Sequence, residues 1–157
     1  MDSEPTIDLH SDHYFMGEAL RQAVRAYEAE EVPVGAVVVR NGRVIARAFN
    51  QVEMLKDATA HAEMLAITQA EQAVGDWRLN ECTLYVTKEP CPMCAGAIVA
   101  ARIRRLVFGT RDLKAGGVRS KFQIADSPLL NHQVEVIEGV LGAECTELLR
   151  DFFANRR

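Results

Sequence analysis

A chain of 157 residues with 48% apolar residues has the size of one domain and enough apolar mass for one core. Its formal net charge of −4 argues mildly against a general nucleic-acid binder, and no apolar run approaches the length that spans a bilayer. Four cysteines without a signal-peptide pattern point to metal chemistry in the cytoplasm rather than to a disulfide framework. Residues 1–13 are acidic and polar and read as a loosely ordered tail, with His10 and His13 solvated. From Tyr14 the apolar positions Phe15, Met16, Ala19, Leu20, Ala23, Val24 and Tyr27 fall at helical spacing, which predicts a helix over residues 14–30. Residues 34–39 form a continuous apolar, β-branched run, and Asn41-Gly42 is a strong two-residue hairpin turn into a second strand over 43–49. Asn50 ends that strand, and a polar loop through Asp57 leads to a helical run that opens at Ala60-His61-Ala62-Glu63 and continues to Ala73. Residues 75–80 form a loop with the only tryptophan, Trp77, read as core or interface packing.

A third strand over 81–87 leads into a helix over 92–101, with Pro92 suited to a first turn whose N–H has no partner anyway. A fourth strand covers 104–109. Residues 110–131 make a loop-rich excursion with a short helix around Phe122, followed by a fifth strand over 133–137 and a closing helix over 140–153. A hairpin followed by strand–helix alternation predicts an α/β fold, a five-stranded mixed sheet in a three-layer α-β-α sandwich, with residues 14–157 as a single domain. Ligands of such sheets sit outside strand ends, where loops lead into helices.

The chemistry concentrates at two of those junctions. Glu89-Pro90-Cys91-Pro92-Met93-Cys94 places two cysteines at the start of a helix, where the dipole and unpaired N–H groups favour thiolates. Alone, a Cys-x-x-Cys pair reads equally as half a zinc site, a redox pair or two buried thiols. His61 supplies a third ligand from the other helix start, which leaves one tetrahedral position for water and so indicates a catalytic rather than a structural zinc. Glu63 is placed to reach that water without ligating the ion. A structural site would need a fourth ligand, and His132 is the one spare candidate. Cys82 and Cys145 have no partner motif and read as small buried hydrophobes. The run Arg102, Arg104, Arg105, Arg111, Lys114, Arg119, Lys121 holds seven basic residues against one acid, Asp112. It reads as a track that steers a phosphate-bearing substrate or as a solvated basic face, with nothing to separate the two.

His61-Ala62-Glu63 with Pro90-Cys91-Pro92-Met93-Cys94 resembles the signature of zinc nucleobase deaminases in the cytidine-deaminase superfamily. The segments Glu31-Val32-Pro33-Val34-Gly35-Ala36-Val37, Val107-Phe108-Gly109, Arg111-Asp112, Asn131-His132 and Asp151-Phe152-Phe153 are similar to the bacterial tRNA-specific adenosine deaminases within it. The resemblance implies a cytidine-deaminase-like fold holding one Zn2+ on His61, Cys91 and Cys94. It implies hydrolysis of adenosine to inosine at the wobble position of a tRNA anticodon, with hydroxide at the metal attacking C6 and Glu63 shuttling protons. Asn50 and the Ala62 backbone would hold the purine, Asp112 would sit beside the ribose, and Asn131 and Phe153 would line the anticodon-loop path. The expected partners are the anticodon stem-loop and a second copy of the chain in a homodimer, with no membrane and no DNA. The chain departs from that pattern at Gly116-Gly117-Val118-Arg119-Ser120 and over 121–130. A deaminase of free guanine or cytosine, and a catalytically idle zinc-binding subunit, share the zinc motif; an intact Glu63 counts against the idle subunit.

Overall fold

The computed structural model describes residues 11–156. Helix α1 (Asp12–Glu28) begins where the Ser11 hydroxyl accepts the Tyr14 amide at 3.0 Å. The helix therefore starts two residues ahead of the expected Tyr14. Asp12 has a long-range reason to be ordered: its carboxylate accepts the Tyr85 hydroxyl at 2.6 Å and pairs with Arg105 at 2.8 Å. The rest of the expected tail, residues 1–10, lies outside the described residues.

Strands β1 (Gly35–Arg40) and β2 (Arg43–Phe49) form the expected hairpin. Asn41 and Gly42 both adopt positive φ, 51° and 73°, as the tight turn requires. The loop after Asn50 is not featureless, because it contains a one-turn helix, α2 (Val52–Leu55). Helix α3 (Ala62–Val74) has His61 at its N-cap position, without a side-chain capping bond, and ends on Gly75 in the left-handed region. Strand β3 (Cys82–Lys88), helix α4 (Pro92–Ala100), strand β4 (Arg105–Thr110), strand β5 (Glu135–Glu138) and helix α5 (Gly142–Ala154) complete the chain. Residues 111–134 contain neither helix nor strand, so the helix expected around Phe122 does not form. Trp77 is half exposed, stacked under the Arg78 and Arg102 guanidiniums, and is not core.

The sheet runs β2-β1-β3-β4-β5, antiparallel across the first three strands and parallel across the last three. Strand alternation divides the core in two. Ala36, Val38, Leu84, Val86, Leu106 and Phe108 face α3 and α4, whereas Val37, Val39, Tyr85 and Val107 face α1. Helix α5 closes this second face against β4. The result is the three-layer α-β-α arrangement. Gly35 is where α1 comes closest: a Cβ there would stand 2.1 Å from the Ala19 carbonyl oxygen.

The topology brings one end of the sheet together. The C-termini of parallel β3 and β4, the start of β1 and the end of β2 share that end, and the N-termini of α3 and α4 open onto it.

Candidate active site

At that end of the sheet lies a cavity of about 520 Å³. His61, Glu63 and Cys91 line it, and Asn50, Ala62, Asp112 and Phe153 line it too. Residues far apart in the chain are thus gathered on one concave surface. Asn131 is exposed and does not border this cavity.

Each reactive side chain owes its place to a helix start. His61 sits at the N-cap position of α3 in an extended conformation and Cys91 at that of α4, with Pro92 as the first helical residue; neither side chain is spent on a capping bond. Cys94 falls one turn later and is fully buried behind Cys91. His61 Nδ1 lies 3.6 Å from Cys91 Sγ and 3.4 Å from Cys94 Sγ, and the three candidate ligand atoms are within 4.8 Å of one another. Hydrogen bonding with the Cys94 thiol, reinforced by His61 and the Cys94 amide, outweighs burial and holds Cys91 at about 4, a thiolate at neutral pH. Cys94 is pushed the opposite way by Cys91, by burial and by Glu63. The bond with Cys91 raises His61 above its usual value against the opposing effect of burial. Two sulfurs and an imidazole nitrogen form a donor set that fits zinc. The spare candidate for a fourth ligand does not join them: His132 Nε2–H donates to the Ile103 carbonyl at 2.7 Å. Among the described residues the cluster is three-membered.

Glu63 borders the cavity beside this cluster and is 4% exposed. Burial, the largest influence, raises its carboxyl from 4.5 to about 6 despite the nearby His61 and Lys88. A carboxyl near neutrality both takes and gives a proton at working pH.

Around this centre stand the substrate-facing candidates. Asn50 is fixed by its own hydrogen bonds: Nδ2 donates to the Val32 carbonyl at 3.2 Å, and Oδ1 accepts the Val52 amide at 3.4 Å. Ala62 is the first residue of α3, where backbone N–H groups have no partner within the helix. Asp112 carries local structure as well as bordering the cavity. Its Oδ1 accepts the Lys114 and Ala115 amides at 3.1 Å, and its Oδ2 pairs with Lys88 at 3.1 Å. Phe153 is half exposed on the cavity wall, next to a buried Phe152 that packs edge-on against Tyr27.

Two buried glutamates at this cavity, Glu31 and Glu89, lie outside the expected set of site residues. The Glu31 carboxylate accepts the Glu53 amide at 3.0 Å and the Met54 amide at 2.6 Å, and so caps α2 from across the chain. Glu89 is pushed up by burial, but the Ser120 hydroxyl and the Arg119, Ser120 and Asp112 amides prevail and bring it down to about 2. Position offered one signal for Glu89, a carboxylate directly before Pro-Cys at the end of an apolar strand.

The basic run does not form a single track. Arg102 caps the Val99 and Ala100 carbonyls, Arg105 pairs with Asp12, Arg111 with Glu138 and Arg119 with Asp126. Arg104, Lys114 and Lys121 are exposed. Arg104 and Arg105 lie at the start of β4, a strand length of roughly 17 Å from the end that borders the cavity. Lys88 and Arg156 are the cations on the cavity wall.

The family model described as MafB19-like deaminase matches residues 10–157. The tRNA-specific adenosine deaminase of Bacillus subtilis is 49% identical over 146 residues, 93% of this chain and 91% of that protein. That of Aquifex aeolicus is 51% identical over 144 residues, 92% of this chain and 95% of that protein. A solved structure from work on A-to-I editing by tRNA:A34 deaminases at the wobble position superposes with a TM-score of 0.83 at 47% identity, over 86% of this chain and 98% of the other. A guanine deaminase from Nitrosomonas europaea gives a TM-score of 0.82 at 26% identity, over 96% of this chain and 88% of the other.

Proposed function

The chain belongs to the MafB19-like deaminase family, and from that premise we propose that it hydrolyses adenosine to inosine at the wobble position of a tRNA anticodon. One observation carries the reading: a His61–Cys91–Cys94 cluster with Glu63 beside it borders a cavity in a chain 49% identical to a tRNA-specific adenosine deaminase. The comparable fold of a guanine deaminase means that shape alone does not choose the substrate; sequence similarity favours the tRNA reading.

In this reading residues 14–157 act as one deaminase domain, and His61, Cys91 and Cys94 hold one zinc. When bound there, zinc supplies Lewis acidity that brings the pKa of water toward ~7. Glu63 takes one proton from the water that adds at C6 and delivers it to N1; it then takes the remaining proton of the new C6 hydroxyl and gives it to the amine, so that the C6–N bond breaks as the C6 carbonyl forms. Water and adenosine thus give inosine and ammonia, with one carboxyl as base and then acid. The Asn50 amide and the Ala62 N–H grip the purine edge, and their rigid settings at a strand end and a helix start suit that role. Asp112, which lines the same cavity, would meet the ribose, and Phe153 offers a half-exposed ring to a base along the anticodon path. Asn131 would meet RNA only beyond the cavity. A second copy of the chain would complete the RNA groove. No helix among the described residues is long and apolar enough to cross a membrane, and the setting proposed is the cytoplasm.

The test compares ammonia release from an anticodon stem-loop bearing adenosine at the wobble position with release from free adenine, guanine and cytosine. The reading expects turnover of the stem-loop, weakened by added salt through loss of phosphate contacts. Free-base turnover that matches the RNA and ignores salt would favour the free-base enzyme instead.

A further inference from the structure

Glu89 is 2% exposed and has no part in the acid–base or metal roles above. It directly follows β3 and stands two residues before Cys91. Its Oε1 accepts the Asp112 amide at 3.0 Å and the Ser120 hydroxyl. Its Oε2 accepts the amides of Val118, Arg119 and Ser120 at 3.1, 2.7 and 2.9 Å. All of these donors belong to residues 112–120, which have no helix or strand of their own. Consecutive backbone N–H groups curved around an anion form a concave nest, here closed on a side chain of the same protein.

The same segment is pressed onto the turn that carries Cys91. The Gly117 N–H donates to the Pro90 carbonyl at 2.7 Å, and a Cβ on Gly117 would stand 2.7 Å from the Pro92 nitrogen. A Cβ on Gly116 would meet the Glu89 carboxylate at 2.3 Å. The glycines and the serine of this stretch therefore have a structural purpose, which is to wrap the Glu89 carboxylate. Segment 112–120 also presents Asp112 and Ala115 to the cavity, and Asp112 pairs with Lys88, the residue before Glu89.

We infer that Glu89 is a positioning residue that ties the 112–120 wall to the strand end carrying Cys91, so that Asp112 and the cysteine half-site are held as one unit. Removing the carboxylate frees the wall while leaving the His61 and Cys94 settings on α3 and α4 in place. Substrate binding then suffers more than the chemical step. The kinetic part rests on the function proposed above; the tether itself does not.

The test uses Glu89→Gln in the zinc-loaded full chain, with hydrogen exchange read by mass spectrometry and kcat and KM measured on the stem-loop. Glu89→Gln keeps the shape but replaces one acceptor oxygen with a donor that opposes the nest. Peptides covering 112–120 should exchange at least about tenfold faster, with the rest of the chain unchanged and KM raised more than kcat is lowered. Ser120→Ala removes one donor and should give a smaller rise in the same peptides; it carries the test alone if Glu89→Gln does not fold. Unchanged exchange over 112–120, or an equal rise along the whole chain, would overturn the tether. A fall in kcat at constant KM would overturn the positioning role. Faster exchange over 112–120 in a chain inert toward RNA would support the tether and defeat the substrate assignment separately.

Discussion

Glu31 offers the sharpest stability test of how the cavity is built. It is 1% exposed, and its two oxygens receive the Glu53 and Met54 amides at the start of α2. A helix of four residues cannot sustain itself, so α2 depends on this cap and on its neighbours. A hydrogen bond to a charged group is worth about 1.5–3 kcal/mol, so two would give about 3–6 kcal/mol if both were fully enclosed. Glu53 and Met54 are exposed, and their amides regain water once the cap is gone, which reduces the expected cost of Glu31→Ala to about 2–4 kcal/mol. With a urea slope of about 2 kcal/mol/M, the unfolding midpoint should fall by about 1–2 M at constant slope. Glu31→Gln, which retains one carbonyl oxygen, should lose about half as much. Exchange of the amides of residues 51–57 should rise first, because Val52 and Glu53 border the cavity on this element. A midpoint within about 0.25 M of the parent, with exchange over 51–57 unaltered, would refute the capping argument.

Glu63→Gln should keep one zinc per chain by elemental analysis, since Glu63 lies outside the ligand cluster, while kcat on the stem-loop falls by about 10²–10⁴-fold. Asp112→Asn keeps an acceptor for the Lys114 and Ala115 amides but weakens the Lys88 pair, and it should narrow the kcat/KM gap between an RNA stem-loop and its 2′-deoxy counterpart. An unchanged gap would leave Asp112 with its turn-capping task alone. Hydrogen bonding from Arg105, aided by Tyr85 and opposed by burial, lowers the Asp12 carboxyl below 3.8. A depressed carboxyl contributes stability that is present above 3.8 and lost as pH falls through the folded value, so Asp12→Asn should flatten the acid limb of a stability–pH curve.

What the sequence made legible follows from the range of the interactions involved. The Asn41-Gly42 turn, the apolar strands and the Pro92 helix start are local, and each forms within a residue or two of its expected place. The His61–Cys91–Cys94 cluster was legible because its residue types and spacings are specific, although His61 and the cysteines are about 30 residues apart. The misses are long-range. At the start of α2 Gln51 makes no side-chain capping bond and Asn50 reaches only the Val52 amide, so the Glu53 and Met54 amides take their acceptor from Glu31, 22 and 23 residues away. Asp12 is ordered by partners 73 and 93 residues away, Tyr85 and Arg105. The helix expected around Phe122 gives way where the neighbouring Lys121 and Phe122 amides both turn back to the Gly116 carbonyl. The basic run is broken up by the fold, since three of its arginines, Arg105, Arg111 and Arg119, pair with Asp12, Glu138 and Asp126, and Arg102 turns to the Val99 and Ala100 carbonyls.

The most direct measurement of the central claim is position-resolved mass spectrometry of an anticodon stem-loop incubated with the zinc-loaded protein. The substrate carries adenosine at the wobble position and a second adenosine in the paired stem. Extruding an unpaired loop nucleotide costs less than opening a pair, so the account predicts inosine at the wobble position and almost none in the stem. Intact adenosine at the wobble position, in a chain shown to hold its zinc, would contradict it.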